Sequence, residues 1–216
     1  EIRSRGLGDV YKRQLLGDFY KKGIFALFHF YPSEDAKNST KVVPYLHTGG
    51  LGLPDRDYYF DDDKKEIREK YLEYLESTWK LYKMESKNME HVLNIETKLA
   101  KVTYTVVEKR DPHKLYNKMT ISELKEICNL NWDKYFAKLI IRELPYIIVD
   151  NKKFYKEFYN LWSTVDLNHW KDLIIVKIIS NFSNLMSNRF FENKFNFYSK
   201  DLSGQKEPKP RWERAI

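Results

Sequence analysis

Along most of this chain, apolar residues recur at helical spacing. Ile67, Tyr71, Leu75, Thr78, Trp79 and Tyr82 share one face of a predicted amphipathic helix. Asp61-Asp62-Asp63 places negative charge at its start, where the helix dipole favours it. A second set, Met89, Val92, Glu96, Leu99, Val102, Thr103 and Val106, predicts a helix that ends at Arg110-Asp111-Pro112, because the residue before proline avoids the α region. Thr120-Ile121-Ser122-Glu123 is a capping box, with Met119 and Leu124 placed as its hydrophobic staple. A short helix is expected from there to about Asn129. Asn131 can cap another through Ile141, stopped near Pro145, and Tyr146 to Val149 can form a short strand. Asp150 is the expected cap of the next helix, to about Trp162. From Asp166 a long helical pattern runs to Gly204, weakened locally by the β-branched cluster Ile174-Ile175-Val176. Gly204, Pro208 and Pro210 end it.

Near the N-terminus the period changes. Ile24 to Tyr31 is a dense apolar and aromatic run of strand length, and Lys41 to His47 reads as its return strand. The polar run Ser33 to Thr40 between them reads as a long loop, and Pro44 marks the second strand as an edge or its end. The fold class predicted is mainly α, with one small β-hairpin.

The hairpin leads into Gly49-Gly50-Leu51-Gly52-Leu53-Pro54-Asp55-Arg56-Asp57-Tyr58-Tyr59-Phe60. Its three glycines allow positive φ and close approach of other elements. Pro54 fixes its own φ, and the aromatic residues add buried area with polar tips. Arg56 sits between two carboxylates, Asp55 and Asp57, so an ion-pair knot holding the loop is the expected structure. Arg110-Asp111 is read in the same way.

Composition narrows the chemistry. The formal charge is +7 over 216 residues. The first fourteen residues supply +2 of that, and their Ser4 to Gln14 segment (SRGLGDVYKRQ) matches a translated sequencing adapter; native sequence is expected from about Leu15. The chain is expected to be truncated at both ends. The remaining charges are interspersed, which argues for solvated helix faces and against a nucleic-acid surface. The single cysteine, Cys128, excludes a disulfide within the chain and reads as a small core hydrophobe. The longest apolar run, Leu173 to Ile179, is interrupted by Lys177 and is too short to span a bilayer. His29, His47, His91, His113 and His169 make no i, i+4 pair, and there is no HExxH. The glycines make neither a Walker loop nor a dinucleotide fingerprint. No catalytic constellation is visible.

Four stretches in order resemble the neprilysin-type (M13) zinc metallopeptidases. They are Gly49 to Tyr59; Glu96-Thr97-Lys98-Leu99-Ala100 with Arg110-Asp111-Pro112 and Tyr116-Asn117-Lys118-Met119-Thr120; the long helical segment ending near Asp201-Leu202-Ser203-Gly204; and Arg211-Trp212-Glu213-Arg214. The resemblance covers Leu15 to Ile216 and implies part of the helical N-terminal lobe that caps a C-terminal catalytic lobe. It implies small peptides as substrates and zinc as the cofactor of the whole enzyme, with HExxH and every ligand outside this chain. No catalytic or metal residue is carried over, and no metal is expected on this chain alone. The motif residues carried are Gly49, Gly50, Gly52, Pro54, Asp55, Arg56, Asp57, Tyr58, Arg110, Asp111, Pro112, Tyr116 and Asn117, read as structural, with direct peptide contact by Asp55, Arg56 and Asp57, and by Arg110 and Asp111, as the lesser alternative; no substrate-binding residue is assigned. Phe60, Ile67 and Ala215 stand where animal extracellular members are expected to have cysteines, which favours a disulfide-free, microbial or intracellular setting. With its partner lobe missing, the chain is expected to expose the faces of Ile174, Ile178, Phe182, Phe190 and Phe191. The competing reading is a stand-alone helical module binding a protein or a nucleic acid.

Overall fold

A computed structural model of the chain describes residues 22, 24, 27–139, 141 and 144–214. The adapter-like segment lies outside them. Strand β1 (Phe28–Asp35) pairs antiparallel with β2 (Asn38–Thr48). Phe28 and Phe30 point inward while His29 and Tyr31 face out, the period-2 alternation of a half-buried strand.

The expected long loop is instead a two-residue turn at Ala36-Lys37. Polar residues that read as loop belong to the strand ends, where Pro32 to Glu34 and Asn38 to Val42 are exposed while Asp35 is buried. Asp35 closes the turn by accepting from the Lys37 amide at 2.9 Å.

Two further strands complete the sheet. β3 (Asn117–Met119) was hidden from the sequence by its brevity, and β4 (Ile147–Val149) lies between it and β2. The strand order is β1-β2-β4-β3, with β2 and β4 parallel. Pairing with β4 involves only Tyr45 and Leu46 of β2, so at Pro44 the strand has β1 as its one sheet neighbour.

Helices cover the sheet. α1 (Lys65–Lys83) buries Tyr71, Tyr74, Leu75, Thr78 and Trp79. It ends on Met84, in the left-handed region at φ 59° and largely exposed. Glycine is the residue this position favours, so Met84→Gly is expected to raise stability by about 1 kcal/mol in urea unfolding.

α2 (Glu90–Val102) stops eight residues before Arg110 because Thr103 turns extended, its hydroxyl donating back to the Leu99 carbonyl. β-branched residues follow at Thr105, Val106 and Val107, which disfavour continuation. α3 (Ile121–Ile127) carries the expected capping box in full. α4 (Trp132–Lys138) is capped by Asn131, as expected.

α5 (Lys152–Thr164) is capped by Asn151 rather than Asp150. Asp150 is diverted to the sheet, where it accepts from the Thr48 amide at 2.7 Å and its hydroxyl at 3.0 Å. The expected long helix is broken: α6 (Leu167–Phe182) ends in a tight turn, and after Met186 α7 (Asn188–Lys194) runs into a π-helical segment, Phe195–Asp201. Ser183 and Ser187 flank the break, and the Ser183 hydroxyl donates back to the Ser180 carbonyl at 3.0 Å.

The core is aromatic. Phe28 meets Trp132, Tyr135, Tyr155 and Phe158 with ring centroids 5.8–6.1 Å apart. Phe158 also meets Trp162 and Trp170, joining α4, α5 and α6 beneath the sheet. Cys128 is fully buried there, and burial raises its thiol pKa far out of reach of neutral pH. Ile174 is buried, against expectation, because α6 packs on α1 and α2 within this chain. Ile178, Phe182, Phe190 and Phe191 are half-buried.

Candidate functional site

The glycine-rich loop leaves β2 and crosses the end of the sheet. At Gly49 a Cβ would stand 3.1 Å from the Phe28 Cα and 3.2 Å from the His29 ring. Gly50 has φ +79°, a conformation L side chains rarely adopt. At Gly52 a Cβ would overlap the Tyr71 hydroxyl. These contacts explain the glycines by close approach, without any phosphate or dinucleotide.

Beneath Gly52 lies a buried ion pair that sequence reasoning missed. Lys177 of α6 reaches Glu96 Oε1 of α2 at 2.6 Å, and the Glu96 side chain is fully buried. Tyr59 donates to Glu96 Oε2 at 2.7 Å and Tyr71 to Oε1 at 3.0 Å. The Tyr59 hydroxyl in turn accepts from the Gly52 amide at 3.0 Å and the Leu53 amide at 3.1 Å. From the π-helical segment, Tyr198 donates to the Gly52 carbonyl at 3.0 Å.

Burial first, and then the Glu96 charge, push the Tyr59 and Tyr71 phenols well above their ordinary pKa. Burial does the same to Tyr198. All three are therefore protonated donors at neutral pH. The network joins the loop, α1, α2, α6 and the π-helical segment at one point. Two of the stretches quoted above, the glycine run and Glu96-Thr97-Lys98-Leu99-Ala100, meet in it.

The expected Arg56 knot is not what holds the loop. Arg56 Nε stands 3.9 Å from Asp57, and the guanidinium lies 5.7 Å from the Phe60 ring. Asp55 instead accepts from the Asp57 amide at 2.9 Å, opening the short turn Asp57–Tyr59. The Tyr58 carbonyl accepts from Arg68, and Pro54 is exposed.

Arg110 is exposed and forms no ion pair among the described residues. Asp111 caps the helical turn Pro112–Leu115, with Pro112 at its first position. Tyr116 donates to Asp35 at 2.8 Å, as Tyr146 does at 2.7 Å. The Lys37 amide and those two phenols hold the Asp35 carboxyl below its ordinary pKa, and burial together with Asp35 pushes Tyr116 up to about 12. Asn117 ties the Lys114 and Val149 carbonyls together through its amide. This second group of motif residues thus braces the hairpin turn and β4, apart from the Glu96 network.

The signal for Lys177 was present. It is the one charge inside the apolar run Leu173 to Ile179, and a lone charge there needs a buried partner. Gly52→Ala is expected to cost about 1–3 kcal/mol, because Tyr71 must move off Glu96 to admit the methyl group. Urea unfolding checks this, with Gly204→Ala as comparison: at Gly204 no atom lies within 4 Å of an added Cβ, though its own φ of +72° carries strain.

Two of the five histidines face an acid. His91 Nε2 stands 2.8 Å from Asp172 Oδ2, and His47 Nδ1 stands 3.5 Å from Asp150 Oδ2. No group of three His, Cys, Asp or Glu residues that could hold a metal occurs among the described residues. No helix among them is long and apolar enough to cross a membrane.

Comparison with known proteins places the fold. Endothelin-converting enzyme 1 of Cavia porcellus is 29% identical over 200 residues, covering 88% of this chain and 26% of the relative. Membrane metallo-endopeptidase-like 1 of Homo sapiens is 26% identical over 202 residues, covering 84% and 26%. The zinc metalloprotease ZMP1 of Mycobacterium tuberculosis, in its open state, superposes with a TM-score of 0.84 at 24% identity, over 94% of this chain and 32% of that one. PEPO of Lactobacillus rhamnosis superposes at 0.75 with 12% identity, over 94% and 33%. The chain therefore spans about a quarter of the length of the curated relatives it matches. Peptidase family M13 matches residues 12–216, nearly the whole sequence, and the chain belongs to that family through its N-terminal domain.

Proposed function

We propose that this chain is part of the N-terminal lobe of a zinc metalloendopeptidase that hydrolyses peptide bonds in small peptides. In this reading the lobe is a lid enclosing the active site, and it carries no catalytic residue itself. The observation that carries it is the family match across residues 12–216, with a chain that covers about a quarter of its relatives. The described residues do not fit a zinc site, so no step of hydrolysis is routed through them. Their contribution is shape: the Glu96 network fixes the glycine-rich loop against three helices.

Reading the gene through its 3′ end and assaying its full product test the proposal. An HExxH motif is expected downstream of Ile216, with peptide cleavage by the full product that a chelator abolishes. The 216-residue chain alone should neither cleave peptides nor retain stoichiometric zinc on dialysis. A stop codon soon after Ile216, with no HExxH before it, would sink the enzyme reading.

A further inference from the structure

A cleft of about 690 Å³ lies between the Asp55-Arg56 turn, the C-terminal end of α2 and the outer face of α5. Arg56, Lys98, Lys101 and Lys153 line it, together with Glu108 and Glu157. Glu108 accepts from the Thr105 amide and hydroxyl and pairs with Lys114, whereas Glu157 accepts only from the neutral Asn160 amide among the described residues, so the lining carries four cations against two acids. Among the described residues, the 3.9 Å approach of Arg56 to Asp57 is the only ion pair that any of the four cations makes. Arg56 Nε is buried with no hydrogen-bond acceptor. Because Nε is closed to solvent, a ligand in the cleft meets the rest of the Arg56 side chain, which is 28% exposed, and the planar fork of a guanidinium suits a carboxylate better than a point charge does.

We propose that this cleft binds a carboxylate-bearing peptide segment, with Arg56 as anchor and Lys98, Lys101 and Lys153 as the surrounding positive field. The choice of a peptide as carrier rests on the peptidase reading above. The anion preference rests on the cleft alone. Three of the four cations stand on helices, so the charge is presented on a firm frame, and Arg56 is held by the loop that the Glu96 network fixes.

Binding is measured with the whole 216-residue chain by fluorescence anisotropy. The probes are a labelled, acetylated tri-glutamate peptide and its tri-glutamine counterpart, each at low and high salt, with inorganic phosphate as competitor. The glutamate peptide is expected to bind at least about tenfold more tightly, and high salt should remove most of that difference. Arg56→Gln should weaken it about tenfold, and Arg56→Lys should restore it only in part. The pair Lys98→Gln with Lys101→Gln should weaken it similarly. Both lysines are exposed, so this variant folds even if Arg56→Gln does not.

Lys37→Gln with Lys118→Gln, in the separate basic pocket beside Asp35, should change nothing. Equal binding of the two peptides would overturn the proposal. So would unchanged affinity in the Lys98/Lys101 variant, an equal loss in the Lys37/Lys118 control, or phosphate competing as well as the glutamate peptide. None of these readouts depends on HExxH, so the cleft and the peptidase reading can fail separately.

Discussion

Glu96→Ala is expected to destabilise the chain by about 3–5 kcal/mol. The substitution leaves the Lys177 ammonium in a site where its side chain is only 13% exposed, without its carboxylate. It also removes the acceptor of the Tyr59 and Tyr71 hydroxyls, each of which is buried. For a chain of this size the loss corresponds to a fall in Tm of roughly 6–20 °C, read by calorimetry or by far-ultraviolet circular dichroism. Glu96→Leu combined with Lys177→Met removes both charges together, and most of the penalty of the orphaned ammonium should then disappear. If the double variant is no more stable than Glu96→Ala, the ion pair is not what holds this junction.

Phe158→Ala is expected to cost about as much, ~3–5 kcal/mol, by a different route. Phe158 is fully buried and touches rings from β1, α5 and α6. Its removal opens a cavity lined by Phe28, Trp162 and Trp170, bulky rings fixed on separate elements that cannot collapse freely into the space. Urea unfolding monitored by tryptophan fluorescence reads this directly, since Trp162 and Trp170 are neighbours of the lost ring. A loss below about 1 kcal/mol would mean that the aromatic cluster repacks, and that its geometry is softer than the ring contacts indicate.

Helical periodicity identified α1 and α2 because each buries one face against a common core, whereas α3 and α5 were legible from the capping residues at their starts. The capping box at Thr120 was legible because it is local: four consecutive residues contain all of its hydrogen bonds. What the sequence obscured was set over long range. Asp150 reads as a cap, yet its carboxylate is claimed by Thr48 in another strand. Arg56 reads as the centre of an ion-pair knot because its charged neighbours are adjacent, but adjacent side chains on a turn diverge, and the true pair, Glu96 with Lys177, is contributed by two helices.

The glycine run was correctly read as a place of close approach, though which residues approach could not be read from it. The break in the long helix fell at Ser183 to Ser187, not at the β-branched cluster, because Ile174 and Val176 are held by packing that outweighs their helix propensity.

The parallel pairing of β2 with β4 has a temporal consequence. Thr48 and Asp150, which lock the two strands together, are 102 residues apart. At ~5–20 residues per second, β4 leaves the ribosome roughly 5–20 s after β2. Through that interval the hairpin has its inner edge open, with Leu46 awaiting the apolar strand that covers it. The glycine-rich loop waits as well, since Glu96, Lys177 and Tyr198 emerge in succession.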